Sequence, residues 1–333
     1  MGRLITGLDL GSSNIRVAVC RMDRTGKLRL LALDNISSNG VSSGNIVDFD
    51  AARNDVANII RRLEEKIKKK IKSVSVALSG SDIGGVVTTG MIGLSKRPRQ
   101  VSWRDIDKCK KVASLIQIPI ERQILQKEIY SYYINEGNEV VSPVGLYATK
   151  LTAKIYIITA EIAKIKNLYK CIEHAGYMLD SVIFSGSAIA ESVLSEEEKR
   201  TGNLIIDIGS HLTNIALFGE GNLKYIDCLP NPLCFQTIKK RLKAYNLSKG
   251  VITGGGVLKE DILEDAEGAL GIKCELGRVK LNWCSLTPKD VLLHTTSLGL
   301  VAYDAKRLAY RRQESHPLKR ASRFLTDLLE SYF

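Results

Sequence analysis

Residues 4–28 read LITGLDLGSSNIRVAVCRMDRTGKL, and residues 204–226 read LIIDIGSHLTNIALFGEGNLKYI. In both stretches an apolar run reaches an Asp-x-Gly turn and a second apolar run follows, which predicts a strand–turn–strand hairpin. Because the same hairpin occurs twice in one chain, the sequence indicates two similar lobes that face each other across a cleft.

The two turns carry residue types that suit phosphate. Glycine lets backbone N–H groups approach phosphate oxygens closely, and the neighbouring hydroxyls add donors. Residues 251–256 read VITGGG, a strand that runs into three glycines before a helix, where a purine and its ribose can lie flat and the helix N-terminus faces phosphate. The predicted nucleotide-binding residues are Asp9, Gly11, Ser12, Ser13, Asn14, Asp207, Gly209, Ser210, Thr213, Gly254, Gly255 and Gly256.

The two aspartates of these turns are also the predicted metal contacts. Mg²⁺ prefers to retain several of its waters, so Asp9 and Asp207 would act on it through its water shell. A glycine turn alone is more often only a turn, and the prediction depends on the repeat and on the order of the three motifs.

The pattern along the chain is that of an α/β protein. Apolar residues recur at helical spacing through residues 48–70, which predicts a helix between two strands. Residues 84–159 differ in character, because short strands, among them 122–127 and 129–134, surround one helix. We therefore predict a small α+β subdomain inserted into the first lobe. Residues 231–246 are predicted to form one helix.

Composition limits the class of protein. The 333 residues include 48 Lys and Arg against 36 Asp and Glu, a formal charge of +12, which favours a polyanionic partner. The seven cysteines form no CxxC pair, and neither an HExxH motif nor a recognised nucleic-acid module is present, so we expect no disulfide framework, no zinc site and no nucleic acid. No apolar run approaches the roughly 18–20 residues that span a bilayer. The opening MGRLITGLDLG leads directly into a strand, so we expect no signal peptide.

Taken in order, these motifs resemble those of the actin-like ATPases and, within them, FtsA. LDLGSSNIRVAV resembles the first phosphate motif, LIIDIGSHLTNIALF the second, VITGGG the adenosine motif and TTSLGLVAYDA the second connecting helix. The middle of the chain selects FtsA, because residues 118–160 resemble subdomain 1C, the SHS2-type insertion of that family. Residues 185–210 also follow the FtsA pattern.

The resemblance implies an actin-like (ribonuclease H-like) fold of two lobes with this insertion. Its divisions would be residues 1–83 and 160–200 for subdomain 1A, 84–159 for 1C and 201–310 for 2A. It also implies that the protein binds ATP with Mg²⁺, self-associates into filaments, and is located on the cytoplasmic face of the inner membrane. The implied partners are an anionic membrane surface and the C-terminal peptide of the tubulin-like protein FtsZ.

Four departures from the family pattern predict weak or absent ATP hydrolysis. Asn14 replaces the usual Lys of the first phosphate loop, and residues 210–214 replace the Gly-Gly-Thr-Thr-Asp pattern of the second. Ser185 stands where related proteins often carry a Glu that positions the attacking water, and a hydroxyl is a much weaker base. Finally, residues 231–250 are all that the chain offers in place of subdomain 2B, which we therefore expect to be largely missing.

Residues 317–333 predict an amphipathic helix that binds the membrane surface. Bulky apolar residues share one face, and basic residues lie at its start, as in interfacial helices. The alternative is a terminal helix that docks on the protein's own core. The predicted membrane-binding residues are Leu318, Lys319, Arg320, Arg323, Phe324, Leu325, Leu328 and Leu329.

Two other functions remain open at this point. A PilM-like adaptor of a pilus or secretion system would share the insertion type but recruit a different membrane partner. A phosphotransferase of the sugar-kinase and Hsp70 superfamily would need a catalytic Asp between the lobes, and the sequence offers no such candidate.

Overall fold

A computed structural model describes residues 2–135, 137–232, 234–258, 261–282 and 286–314 of the chain. Strands and helices alternate through most of it. The strands are β1 Arg3–Leu10, β2 Asn14–Met22, β3 Leu28–Ser37, β4 Val41–Ser42, β5 Asn45–Ile46, β6 Ser73–Leu78, β7 Gly84–Gly93, β8 Arg99–Gln100, β9 Arg122–Ile134, β10 Asn138–Val140, β11 Tyr147–Ala148, β12 Lys150–Glu161, β13 Met178–Phe184, β14 Asn203–Ile208, β15 Leu212–Gly219, β16 Asn222–Pro230, β17 Lys249–Thr253 and β18 Lys273–Leu276. The helices are α1 Phe49–Ile67, α2 Trp103–Ala113, α3 Ile162–His174, α4 Ser185–Val193, α5 Phe235–Arg241, α6 Ile262–Leu270, α7 Pro288–Leu293 and α8 Thr295–Glu314, with 3-10 turns at Glu198–Arg200 and Gly255–Leu258.

The two lobes are built on five-stranded sheets of matching topology. The first has the order β13-β6-β1-β2-β3 and the second β16-β15-β14-β17-β18. In each sheet the central hairpin is antiparallel, β1 with β2 and β14 with β15. Its first strand also pairs in parallel with the next buried strand, β1 with β6 and β14 with β17. The predicted α/β, two-lobed actin-like fold is confirmed.

Helix α1 forms because its sequence presents one apolar face and has clear end signals. Val56, Ile59 and Leu63 are fully buried against the first sheet. The side chain of Asp48 accepts a hydrogen bond from the Ala51 N–H and caps the N-terminus. The helix ends at Lys68, which adopts a left-handed conformation with φ of 53°.

The inserted region folds as a separate four-stranded antiparallel sheet of order β10-β9-β12-β7, with α2 packed on it. The prediction of two strands at 122–127 and 129–134 was wrong, since β9 is one continuous strand. Its register against β12 shifts between Lys154 and Ile155, and this bulge breaks the alternation of apolar residues that a regular strand would show.

This four-stranded sheet contacts both lobes. In the first, the Gln126 side chain accepts a hydrogen bond from the Phe184 N–H at 2.6 Å. In the second, the Ile226 N–H donates to the Tyr156 hydroxyl at 3.1 Å, and the Lys224 ammonium lies 4.2 Å from the centre of the Tyr130 ring. The insertion therefore bridges the two sheets from one side. The predicted boundaries of the subdomains stay predictions.

One predicted helix length needs correction. Among the described residues of 231–246, the only helix is the short α5, Phe235–Arg241, because Cys234 before it is extended and Leu242 leaves the helical conformation. Helix α4 ends at Val193, since Leu194 is extended and the acidic run that follows forms a turn and a 3-10 helix.

Candidate nucleotide-binding cleft

A cleft of about 550 Å³ lies between the two sheets, at the turns of the two repeated hairpins. Its size is that of a small-molecule site. Eleven of the predicted nucleotide-binding residues line it: Asp9, Gly11, Ser12, Ser13, Asn14, Asp207, Gly209, Ser210, Gly254, Gly255 and Gly256. A second groove of about 520 Å³ runs along β3 and α7 and contains none of them.

The two hairpins place their aspartates in equivalent positions, each opposite a different partner. Asp9 pairs in register with Arg16, and Asp207 pairs with Asn214. The Arg16 Nη1 lies 3.7 Å from the Asp9 Oδ2, and the Asn214 amide donates to the Asp207 Oδ2 at 2.9 Å. The repeat seen in the sequence is therefore retained in the register of the sheets. The two hairpins differ in the group that faces the carboxylate, which is cationic in the first and neutral in the second.

The electrostatics of the pair follow from burial. Burial raises the pKa of Asp9 to about 6, with Arg16 lowering the pKa and the charge of Asp207 raising it. Burial likewise raises the pKa of Asp207, against the opposing effects of the Asn214 amide and of Arg16. Since Asp207 affects the pKa of Asp9 and Arg16 affects both, the three charges share one environment at the base of the cleft.

Thr213, the twelfth predicted residue, does not line the cleft. It is fully buried behind the second turn, where its hydroxyl donates to the Asn231 Oδ1 at 2.7 Å. The Asn231 amide in turn donates to the carbonyl oxygen of Gly209 at 2.7 Å. Thr213 therefore supports the turn from behind, because side chains alternate between the two faces of β15.

The glycine loop approaches the second aspartate closely. Gly254 has φ of +91°, and a Cβ there would fall 2.6 Å from the Asp207 Oδ1. Gly255 is different, since a Cβ there would meet open space within the cleft. The loop thus presents backbone without a side chain to the cleft at Gly255, where a ligand can approach it.

The floor of the cleft offers hydroxyl groups. The hydroxyls of Ser185 and Ser79 lie 2.7 Å apart, and Ser185 also donates to the carbonyl oxygen of Leu78. Among the described lining residues, Asp9 and Asp207 are the only carboxylates. Each of them already has a partner, so neither is a free general base.

The donor set does not fit a Mg²⁺ ion held directly by the protein. One carboxylate faces a guanidinium and the other accepts an amide N–H. Within the described residues, no group of three or more His, Cys, Asp or Glu side chains converges as a metal site would. The water-mediated contact through Asp9 and Asp207 stays a prediction.

Sequence reasoning missed several lining residues, of which Arg16 matters most. A signal was available, because in a hairpin of this length position 16 lies opposite position 9 and the side chains of paired residues share a face. Other lining residues that the sequence did not single out include Asn35, Gly44, Ser79, Lys289, Thr295 and Thr296. They come from other segments of the chain, and the hairpin motifs hold no information about them.

The predicted membrane-binding helix at residues 317–333, with its eight named residues, lies outside the described residues. In the described part of the chain, no helix combines the length and the apolar character that crossing a membrane requires.

The fold and the cleft together define an actin-like protein of two lobes with an inserted α+β sheet. The family model described as "SHS2 domain inserted in FTSA" matches residues 80–159. The cell division protein FtsA of Borreliella burgdorferi is 29% identical over 227 residues, which are 68% of this chain and 55% of that protein. The FtsA of Pseudomonas aeruginosa is 28% identical over 229 residues, 69% of this chain and 54% of that protein. These similarities support the FtsA-type actin-like protein that the sequence motifs predicted.

The chain spans about half the length of these curated relatives. A solved structure of the PilM-PilN type IV pilus biogenesis complex matches 90% of this chain and 98% of the PilM-PilN structure's matched chain, with a TM-score of 0.64 and 14% identity. At that identity the likeness concerns the fold alone.

Proposed function

We propose that this protein is an actin-like cell-division protein that binds a purine nucleotide such as ATP in the interlobe cleft and hydrolyses it weakly or not at all. The observation that carries the binding proposal is the meeting of the two Asp-x-Gly turns and the glycine loop in one cleft of about 550 Å³. The cell-division role rests on the similarity to FtsA proteins and to the family's insertion.

Weak hydrolysis follows from the groups that face the cleft. The family often uses a carboxylate at the position of Ser185, whereas here a buried hydroxyl is hydrogen-bonded to Ser79. A hydroxyl is a poor base for the attacking water, and the two aspartates of the cleft are engaged with Arg16 and Asn214. The same observation disfavours a phosphotransferase, which needs a free catalytic carboxylate between the lobes.

Nucleotide binding can be tested by filling the cleft without disturbing the fold. Gly255→Val adds a side chain that meets open space in the cleft, so we expect unchanged thermal stability and at least about tenfold weaker ATP binding by calorimetry. Gly268→Ala, at an exposed position of α6, is the matched control and leaves binding unchanged. Equal binding by the wild type and Gly255→Val would place any nucleotide elsewhere. ATP turnover at rates typical of actin-like ATPases would contradict the second part of the proposal.

The proposed partners are FtsZ, a second copy of this chain and an anionic membrane surface on the cytoplasmic side of the inner membrane. A pull-down with the FtsZ C-terminal peptide, with and without ATP, tests the first. In the described part of the segment between β16 and β17 the only helix is the short α5, so a peptide that docks on subdomain 2B would find little of that subdomain here. Failure to retain the peptide would favour another partner, as in a PilM-like adaptor.

Membrane binding is proposed for residues 317–333. Co-sedimentation with anionic liposomes, by the full chain and by a form that ends at residue 316, tests it. Equal binding by both forms would exclude the helix as the anchor.

A further inference from the structure

The first hairpin contains a cation that faces the acidic base of the cleft. Arg16 lies on β2, opposite Asp9 on β1, and both side chains line the cleft and are less than one-fifth exposed. At the equivalent position of the second hairpin stands Asn214, a neutral group. Arg16 therefore places a positive charge beside a pair of aspartates that would otherwise repel a phosphate, whereas Lys289, the other described cation of the lining, is exposed.

The position of this charge compensates for a loss in the loop itself. Asn14, where the family pattern has a lysine, lines the cleft but has no charge. Arg16 lies on the same strand and on the same side of the sheet, because alternate strand residues share a face. A guanidinium has five N–H donors in a rigid fork, and only its Nη1 is given to the ion pair with Asp9, whose Oδ2 lies 3.7 Å away. Donors on the remaining nitrogens can therefore serve a phosphate oxygen without abandoning Asp9.

We propose that Arg16 is the phosphate-binding cation of this cleft and that it makes nucleotide binding largely independent of a divalent cation. The inference rests on the proposed nucleotide binding and specifies how the same site neutralises its ligand. The guanidinium screens the charges of Asp9 and Asp207 from the phosphates and donates hydrogen bonds to the phosphate oxygens. A Mg²⁺ ion would neutralise the same charges by coordination. The donor set, which does not suit an ion held by the protein, agrees with this assignment.

The test measures ATP affinity by calorimetry for the full chain in MgCl₂ and, separately, in EDTA. We expect the wild type to bind in both buffers, with dissociation constants that differ by less than about threefold. Arg16→Met keeps the length of the side chain and removes its charge, so it should bind in MgCl₂ but lose at least about tenfold in EDTA. Arg16→Lys should retain binding in EDTA, and Arg29→Met, which removes an exposed arginine outside the cleft lining, should behave as the wild type.

The outcomes separate this inference from the proposed function. Wild-type protein that binds ATP in MgCl₂ but not in EDTA overturns the inference and leaves nucleotide binding in place. An Arg16→Met variant whose affinities match those of the wild type in both buffers also overturns it. Wild-type protein that binds ATP in neither buffer removes the proposed function and the inference together. The comparison of buffers needs only the wild type, so it decides even where a variant does not fold.

Discussion

Gly299 of α8 lies directly against Ala188 of α4, so closely that a Cβ on Gly299 would fall 2.0 Å from the Ala188 carbonyl oxygen. The two helices can approach to this distance only because neither has a bulky side chain at the contact. The contact brings together helices that follow the first and the second sheet.

Replacement of Gly299 by alanine should therefore destabilise the protein. The added methyl group must push the helices apart, at a cost of about 1–3 kcal/mol in the free energy of unfolding. Urea unfolding followed by circular dichroism measures the change. Gly268→Ala, on the exposed face of α6 with no atom near its added Cβ, should instead stabilise by about 0.5–1 kcal/mol. If Gly268→Ala also lowers the free energy of unfolding, the loss in Gly299→Ala cannot be attributed to the contact between the two helices.

The end of α1 gives a prediction of the opposite sign. Lys68 is exposed and left-handed, with φ of 53°, a conformation that glycine adopts at little cost. Lys68→Gly should raise the free energy of unfolding by a few tenths to about 1 kcal/mol, seen as a higher midpoint in urea. Glu65→Gly, one turn earlier on the exposed face, should lower it by about 1 kcal/mol because the backbone there is helical. If both substitutions lower stability, the left-handed end of the helix is not retained in solution.

The capping box of α2 gives a pH dependence. Burial acts to raise the pKa of Asp105, but hydrogen bonds from Arg99 and Ser102 outweigh it and lower the pKa to about 2. Since the folded-state pKa lies below the ordinary value of 3.8, the ionised carboxylate stabilises the fold above about pH 4. That stability is lost as the pH falls from about 4 toward 2.

Asp105→Asn should lower the free energy of unfolding at pH 7 by at most about 2 kcal/mol, since the Arg99 side chain is partly exposed. The difference from the wild type should shrink as unfolding is measured at successively lower pH down to about 3. Asp107→Asn, on the exposed side of the same helix, should show no such trend. A difference that stays constant with pH would exclude the ionised carboxylate as its source.

The second hairpin should not tolerate a third carboxylate. Asn214 is 4% exposed and its amide donates to Asp207, so Asn214→Asp replaces a donor with a like charge. We expect a loss of about 1–3 kcal/mol in the free energy of unfolding. Because the family pattern carries an aspartate at this position, millimolar MgCl₂ should recover part of the loss in a thermal melt. Asn54→Asp on the exposed face of α1 should be neutral, and equal melting of the wild type and Asn214→Asp would contradict the expected repulsion.

The sequence predicted the features that depend on local patterns. The repeated Asp-x-Gly hairpins placed Asp9 and Asp207 correctly at one cleft, because an apolar run that meets a glycine turn has few alternative conformations. Thr213 was placed wrongly because its side chain points to the opposite face of β15, and that parity depends on where the strand pairing begins. Arg16 was missed because an arginine on a strand reads as a solvent-facing residue until its partner across the hairpin is identified.

The features that the sequence could not provide depend on contacts between distant segments. Thr295 reaches the cleft through the start of α8, and Ser79 faces Ser185 across more than one hundred residues of chain. The continuity of β9 was hidden by its bulge, which is defined by the pairing of β9 with β12 and cannot be read from the composition of β9 alone.

The inserted sheet spans the gap between the lobes. It contacts the first lobe through Gln126 and the second through Tyr156 and Tyr130. A change in the angle between the lobes must either shift these contacts or bend the inserted sheet. The position of the inserted sheet therefore depends on the width of the cleft, and its outer surface changes when the cleft opens or closes. A partner that binds only to that surface would fix the angle between the two lobes.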